Sequence, residues 1–154
     1  MDRINIHISI IGIIYLCLLM IPNIIWLYNQ PIGYSSKNEN KYLLLLEKIG
    51  EILVTCFAIV HFHPIEYTMS IYLFFSIVLI ILYECYWMRY FTSEHTLEYF
   101  YGSFLQIPVP GATLPILAFV LLGIASHCYL LVGSSLILGI GHIGIHLQHE
   151  KEMR

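Results

Sequence analysis

Long stretches of this chain carry no charged side chain, and this feature constrains the fold more than any other. No Asp, Glu, Lys or Arg occurs between Arg3 and Lys37, nor between Glu98 and Glu150. Hydrophobic residues make up 58% of the 154 residues and charged residues 11%; soluble domains carry roughly 25% charged residues. A water-soluble fold of this size could not cover so much apolar surface. The sequence therefore predicts an all-α, polytopic transmembrane helical bundle, with residues 1–154 forming a single integral membrane domain.

Five apolar segments approach the length of roughly 20 residues that a helix needs to cross the hydrocarbon core. They are residues 5–28, 42–63, 67–91, 112–125 and 129–147. The fourth is short and either crosses fully or stops part-way. Residues 92–105 mix acidic with aromatic side chains, which is typical of an interfacial helix in the headgroup layer. The proline-rich run from Gln106 to Pro115 predicts a connection that rims a cavity or forms a plain turn.

Basic residues are distributed unequally about these five spans. One side receives six of them, namely Lys37, Lys41, Lys48, Arg89, Lys151 and Arg154, and the other receives Arg3. Because cytoplasmic segments carry the excess of Lys and Arg, we expect the amino terminus outside and the carboxyl terminus inside. An isoleucine-rich, multi-pass chain without a cleavable signal favours the plasma membrane of a bacterium.

Polar and ionisable residues inside the spans predict where function resides, since such groups are costly in hydrocarbon and usually face a protein-lined cavity. In the orientation above, three helices place ionisable groups at a similar height in the cytoplasmic half. We therefore predict a polar, cytoplasm-facing cavity that binds a ligand through Asn23, Glu47, Glu51, Glu84, Trp87, Arg89, His142 and His146.

Two pairs of candidate residues share the spacing of one helical turn. Glu47 and Glu51 are four residues apart and lie on one helix face; we expect Glu51 to be the more buried. His142 and His146 have the same spacing and could chelate a divalent metal. The alternative is that both histidines form hydrogen bonds to carboxylates or backbone. His149, which follows, is predicted to lie in a solvated tail.

Other motifs admit a binding and a structural interpretation. The aromatic run from Tyr83 to Tyr90 could form a wall for a ring or a cation, or an interface belt in which Glu84 pairs structurally with Arg89 or with a histidine. His61 and His63 form an exposed loop pair or an outer metal site. The match to GxGxxG at residues 139–144 sits within an apolar helix, so small residues there indicate close helix packing instead of a nucleotide site.

Three functional hypotheses follow from these patterns. The leading one is an integral membrane protein that binds or transports a small cationic or amphiphilic ligand. The alternatives are a membrane-embedded enzyme that uses Glu and His acid–base chemistry on a lipid or isoprenoid, and an accessory subunit of a larger membrane complex. Expected partners are membrane lipids, a small-molecule ligand, and a second copy or a larger complex. The sparse basic residues argue against nucleic-acid binding, and no motif identifies a cofactor other than the divalent metal.

Overall fold

Six helices and one pair of two-residue strands form the structure, a computed structural model that describes residues 6–65 and 69–153. The helices are α1 (Ile10–Leu27), α2 (Lys41–Ile59), α3 (Ile71–Phe91), α4 (Leu97–Tyr101), α5 (Pro110–Ala125) and α6 (Tyr129–Met153). The strands are β1 (His7–Ile8) and β2 (Val60–His61). The predicted helical bundle is confirmed, and each of the five predicted segments overlaps one of the long helices.

Three of these helices, α1, α3 and α6, are long and apolar enough to cross a membrane. The other two differ from them for separate reasons. Helix α5 is apolar but has 16 residues, and α2 has 19 residues but carries Lys41, Glu47, Lys48 and Glu51. Length and composition thus define three candidate spans within the described residues.

Local sequence signals explain where the helices begin. The side chain of Ser9 accepts a hydrogen bond from the backbone N–H of Gly12, and Asn40 caps α2 in the same way. Ser70 and Thr96 cap α3 and α4. These caps satisfy backbone donors that the first turn of a helix leaves free. Helix α5 instead begins with Pro110, whose fixed φ suits the first helical position.

Several predicted boundaries need correction. The last segment was expected to end at Leu147, but α6 continues to Met153. The second segment was expected to stay helical to His63, but α2 ends at Ile59 because the chain becomes extended and β2 pairs with β1, placing His61 opposite His7. His61 is consequently buried, while His63 is exposed. The helix expected over residues 92–105 shrinks to α4, because His95 and Leu105 adopt positive φ angles that a helix does not tolerate.

Small residues bring α2 and α6 into direct backbone contact. A Cβ atom on Gly141 would lie 2.3 Å from the backbone N of Glu47, and one on Gly50 would lie 2.4 Å from the Cα of Leu138. Such approach is characteristic of membrane helix pairs, which gain dispersion contacts where side chains are absent. At Gly141 the small residues of the 139–144 segment thus allow close helix packing.

The α1–α2 loop, the α3–α5 connection and the end of α6 meet at one end of the bundle. Gln148 in α6 donates a hydrogen bond to the carbonyl of Asn38 (2.7 Å) and accepts one from the backbone of Asn40 (3.2 Å). A buried aromatic cluster from α3 and α4 fills the space beneath, and it comprises Tyr83, Tyr86, Trp87, Tyr90, Phe100 and Tyr101. The loop is thus fixed against α6, which positions its polar residues.

Candidate functional site

A cavity of about 250 Å³ lies at this end of the bundle. Residues from all six helices and from the α1–α2 loop contribute to its lining. Its polar members are Asn23, Ser36, Glu39, Glu47, Lys48, His142, His146 and His149, and its aromatic members are Trp26, Tyr34, Trp87, Phe100 and Tyr101. Hereafter this space is called the polar cavity.

The first feature of the polar cavity is a pair between Glu47 of α2 and His142 of α6. The Nδ1 atom of His142 and the Oε1 atom of Glu47 form a hydrogen bond, and the two side chains are 28% and 12% exposed. The close approach of the two backbones at Gly141 brings these side chains within reach of each other. A carboxylate bonded to one ring nitrogen fixes the orientation of the imidazole and holds the proton on that nitrogen.

A second acid–histidine pair lies two helical turns further along α6. The Nε2 atom of His149 lies 3.1 Å from Oε1 of Glu39, and both side chains are largely buried. The prediction that His149 lies in a solvated tail is wrong, because the α1–α2 loop folds over the last turns of α6. His142, His146 and His149 follow the spacing i, i+4, i+7 of a single helix face. This spacing is the sequence pattern from which His149 could have been predicted as a third histidine of the site.

His146 lies between the two pairs. Its ring centroid is 4.5 Å from that of His142 and 5.3 Å from that of Tyr101. Its Nδ1 atom is buried and has no hydrogen-bond partner within the described part of the chain. Tyr101 of α4 is edge-on to His146 and stacks on His149 at 5.2 Å, so the three histidines and Tyr101 form a continuous row of ring contacts along the polar cavity.

Aromatic rings form the facing wall. Trp26 of α1 stacks on Phe100 with a centroid separation of 5.3 Å, and Tyr34 packs edge-on against Trp26 at 5.0 Å. Burial raises the pKa of the Tyr34 phenol, and the negative charges of Glu39 and Glu47 raise that pKa further. The field of the two carboxylates thus extends across the cavity to the aromatic wall.

Of the predicted site residues, Asn23, Glu47, Trp87, His142 and His146 line the polar cavity. Glu51 does not. It forms an ion pair with Lys48 at 3.0 Å, and its side chain is 47% exposed, so the expectation that Glu51 is more buried than Glu47 is wrong. The rotation of α2 explains the difference, because Glu47 precedes the contact residue Gly50 by three positions and shares its face.

Glu84 and Arg89 of α3 lie outside the cavity lining. The guanidinium of Arg89 donates hydrogen bonds to the carbonyls of Tyr99 (2.9 Å) and Ser103 (3.4 Å) and covers the ring of Phe104. No ion pair joins Arg89 to Glu84 in residues 6–65 and 69–153. Arg89 therefore stabilises the connection that carries α4.

The metal hypothesis gains no geometric support. No group of three or more His, Cys, Asp or Glu among the described residues is arranged to hold a metal ion. His142 is instead hydrogen bonded to Glu47. His61 and His63, at the opposite end of the bundle, also belong to no such group within the described part of the chain. His142 thus has the predicted hydrogen bond to a carboxylate, whereas the buried Nδ1 atom of His146 has no partner among the described residues.

Sequence and structure comparisons with known proteins give no match, since no family model, curated protein or solved structure is significantly similar to this chain. The function is therefore inferred from the chemistry of the residues that line the polar cavity. Two carboxylates that converge on aromatic faces create a negative, partly desolvated environment. Such an environment favours a cation and disfavours an anion.

Proposed function

We propose that this chain is an integral membrane protein that binds a small organic cation in the polar cavity. The observation that carries the proposal is the convergence of Glu39 and Glu47 on a cavity walled by Trp26, Tyr34 and Tyr101. Aromatic faces attract cations through their quadrupole, and carboxylates attract them through charge. Organic ammonium groups combine weak hydration with an apolar surface, so both the aromatic faces and the carboxylates strengthen their binding.

The charges near the cavity also favour a cation. Lys48 is the basic residue in the lining, and its ammonium group is paired with Glu51. Glu39 and Glu47 are each bonded to a histidine, and a neutral imidazole donates a hydrogen bond without cancelling the carboxylate charge. With neutral histidines, an entering cation would meet two carboxylates whose charge no basic side chain neutralises.

The size of the cavity limits the part of a ligand that can enter. Its volume of about 250 Å³ lies just below the range of roughly 300–1,000 Å³ that is common for pockets of drug-sized ligands. A substituted ammonium headgroup would fit such a space, whereas a large organic molecule would not. We therefore propose a compact cation as the bound group.

We further propose that all five long helices cross the plasma membrane and that the polar cavity faces the cytoplasm. The pairing of β1 with β2 joins the start of α1 to the end of α2, so α2 returns beside α1 over a similar depth. Lys37, Lys41, Arg89 and Lys151 belong to the segments that meet at the cavity end. This distribution matches the excess of basic residues on cytoplasmic segments.

Labelling with a membrane-impermeant maleimide will test this orientation. In a chain whose four native cysteines are replaced by alanine, His127→Cys is expected to react in intact cells. Lys37→Cys is expected to react only after permeabilisation. Both positions are exposed and lie at opposite ends of the bundle. The reverse pattern would show that the cavity faces the exterior.

Intrinsic fluorescence offers a direct test of cation binding. The chain has two tryptophans, Trp26 and Trp87, and both line the polar cavity. Titration of the purified protein with tetramethylammonium chloride is expected to give a saturable change in tryptophan emission. Sodium chloride at the same ionic strength serves as the control. An identical response to both salts would contradict the proposed function.

A further inference from the structure

An apolar groove adjoins the polar cavity and runs along α1. Its volume is about 590 Å³. Its lining includes Leu16, Leu19 and Ile24 of α1, Ile116 of α5 and Leu138 of α6, together with Thr55 and the Lys48–Glu51 ion pair of α2. The outward side chains of α1, such as Ile24, are largely exposed, so this helix flanks the bundle and the groove opens beside it.

The groove and the polar cavity share part of their walls. Asn23, Trp26, Lys48, Gly111 and His142 line both spaces. The combined space is therefore polar and acidic at the cavity end and apolar along α1. A ligand that fills this space must be cationic and polar at one end and apolar along the rest of its length.

Building on the proposed cation site, we propose that the ligand is a single-chain cationic amphiphile. Its ammonium head occupies the polar cavity and its alkyl chain lies in the groove. The shared residues place the groove next to the carboxylate end of the cavity, which gives one charged end and one apolar path.

Energetics provide the measurable signature of this arrangement. Each methylene that leaves water for an apolar environment contributes enough to strengthen binding by roughly threefold to fourfold when fully buried. The affinity should therefore rise with chain length for a homologous series with the same head. A site limited to the polar cavity would show no chain-length dependence that a substitution in the groove removes.

The test uses tetramethylammonium, butyltrimethylammonium and octyltrimethylammonium, each below its micellar concentration, with the protein in lipid nanodiscs. We expect the octyl compound to bind at least about tenfold more tightly than the methyl compound. Thr55 lies on the wall of the groove, so Thr55→Phe should remove this gain without changing the affinity for tetramethylammonium. Cys56→Phe is the matched control, because Cys56 is exposed and outside the groove lining.

The outcomes separate this inference from the cation site itself. Saturable tetramethylammonium binding with no dependence on chain length would overturn the groove and leave the proposed function intact. A lipid tail that permanently fills the groove would give that result. Failure of tetramethylammonium to bind would contradict the proposed function, whereas a gain for the octyl compound that Thr55→Phe alone abolishes would still support the groove. Equal effects of Thr55→Phe and Cys56→Phe on the affinity for octyltrimethylammonium would overturn the proposed role of the groove.

Discussion

Replacing Glu47 with glutamine is expected to weaken tetramethylammonium binding by at least roughly tenfold, which corresponds to about 1.4 kcal/mol. Opposite charges about 4 Å apart attract by about 4 kcal/mol near a protein surface, so the loss of the carboxylate charge is large enough to cause this effect. Glu47 is the more enclosed of the two acids on α2, and its carboxylate lies in the wall of the polar cavity. The substitution keeps the shape of the side chain and an acceptor for His142, but it removes the negative charge. The Kd from the fluorescence titration measures the effect.

Glu98→Gln provides the matched control for this experiment. It makes the same chemical change at an acid of α4, near the same end of the bundle. Glu98 is exposed and is not in the lining of the polar cavity, so water and salt screen its charge. We expect its Kd to change by less than about twofold. Equal losses in both variants would indicate a general effect of charge and would argue against a specific role for Glu47.

Substitution of Gly141 by alanine is expected to cause a large loss of stability. The new methyl group would lie 2.3 Å from the backbone N of Glu47 and 2.6 Å from the carbonyl oxygen of Leu43. Backbone atoms cannot rotate away, so α2 and α6 must separate. Overpacking of this kind costs about 1–3 kcal/mol. The free energy of unfolding in detergent should fall by that amount, and cation binding should weaken because Glu47 and His142 move apart.

Gly133→Ala is the control on the same helix. Nothing lies within 4 Å of the position that its Cβ would occupy. Alanine is a better helix former than glycine by roughly 0.5–1 kcal/mol, so this variant should unfold at the same or a slightly higher temperature. If Gly141→Ala is as stable as Gly133→Ala, then the direct contact between α2 and α6 is not as the structure describes.

Hydropathy located the helices because burial of apolar surface in the membrane depends on the length and composition of a segment. It also placed Glu47, His142 and His146 at one depth, and all three line the polar cavity. Depth does not determine which way a helix faces. The rotation of α2 is set by the contact of Gly50 with Leu138, and that contact depends on a partner helix far away in the sequence.

The cavity residues that were not predicted are mostly those whose position depends on long-range packing. Glu39 lies in a loop with no periodic pattern, and it enters the cavity only because the loop folds onto His149. Tyr34 reaches the aromatic wall by the same route. Local sequence predicts the loop as polar, which is correct, but it contains no signal for the direction in which the loop folds.

The aromatic run on α3 illustrates a different difficulty. Three of its tyrosines are buried in the aromatic cluster, and the hydroxyl of Tyr86 donates to the carbonyl of Phe100 at 2.6 Å while that of Tyr90 donates to Asn29 at 2.7 Å. Only Trp87 from this run lines the polar cavity. Tyrosines that bridge a helix to neighbouring loops and tyrosines that bind a ligand have the same composition, so the sequence could not separate the two roles.

Recognition of positive charge by the polar cavity is the central claim, and a comparison of choline with 3,3-dimethylbutan-1-ol tests it most directly. The two molecules have nearly the same shape, and only choline is charged. Tryptophan fluorescence titrations of the wild-type protein should give a Kd for choline at least roughly tenfold lower than for the neutral alcohol. Equal affinity for the two compounds would show that the cavity recognises shape and apolar surface alone, and it would contradict the account.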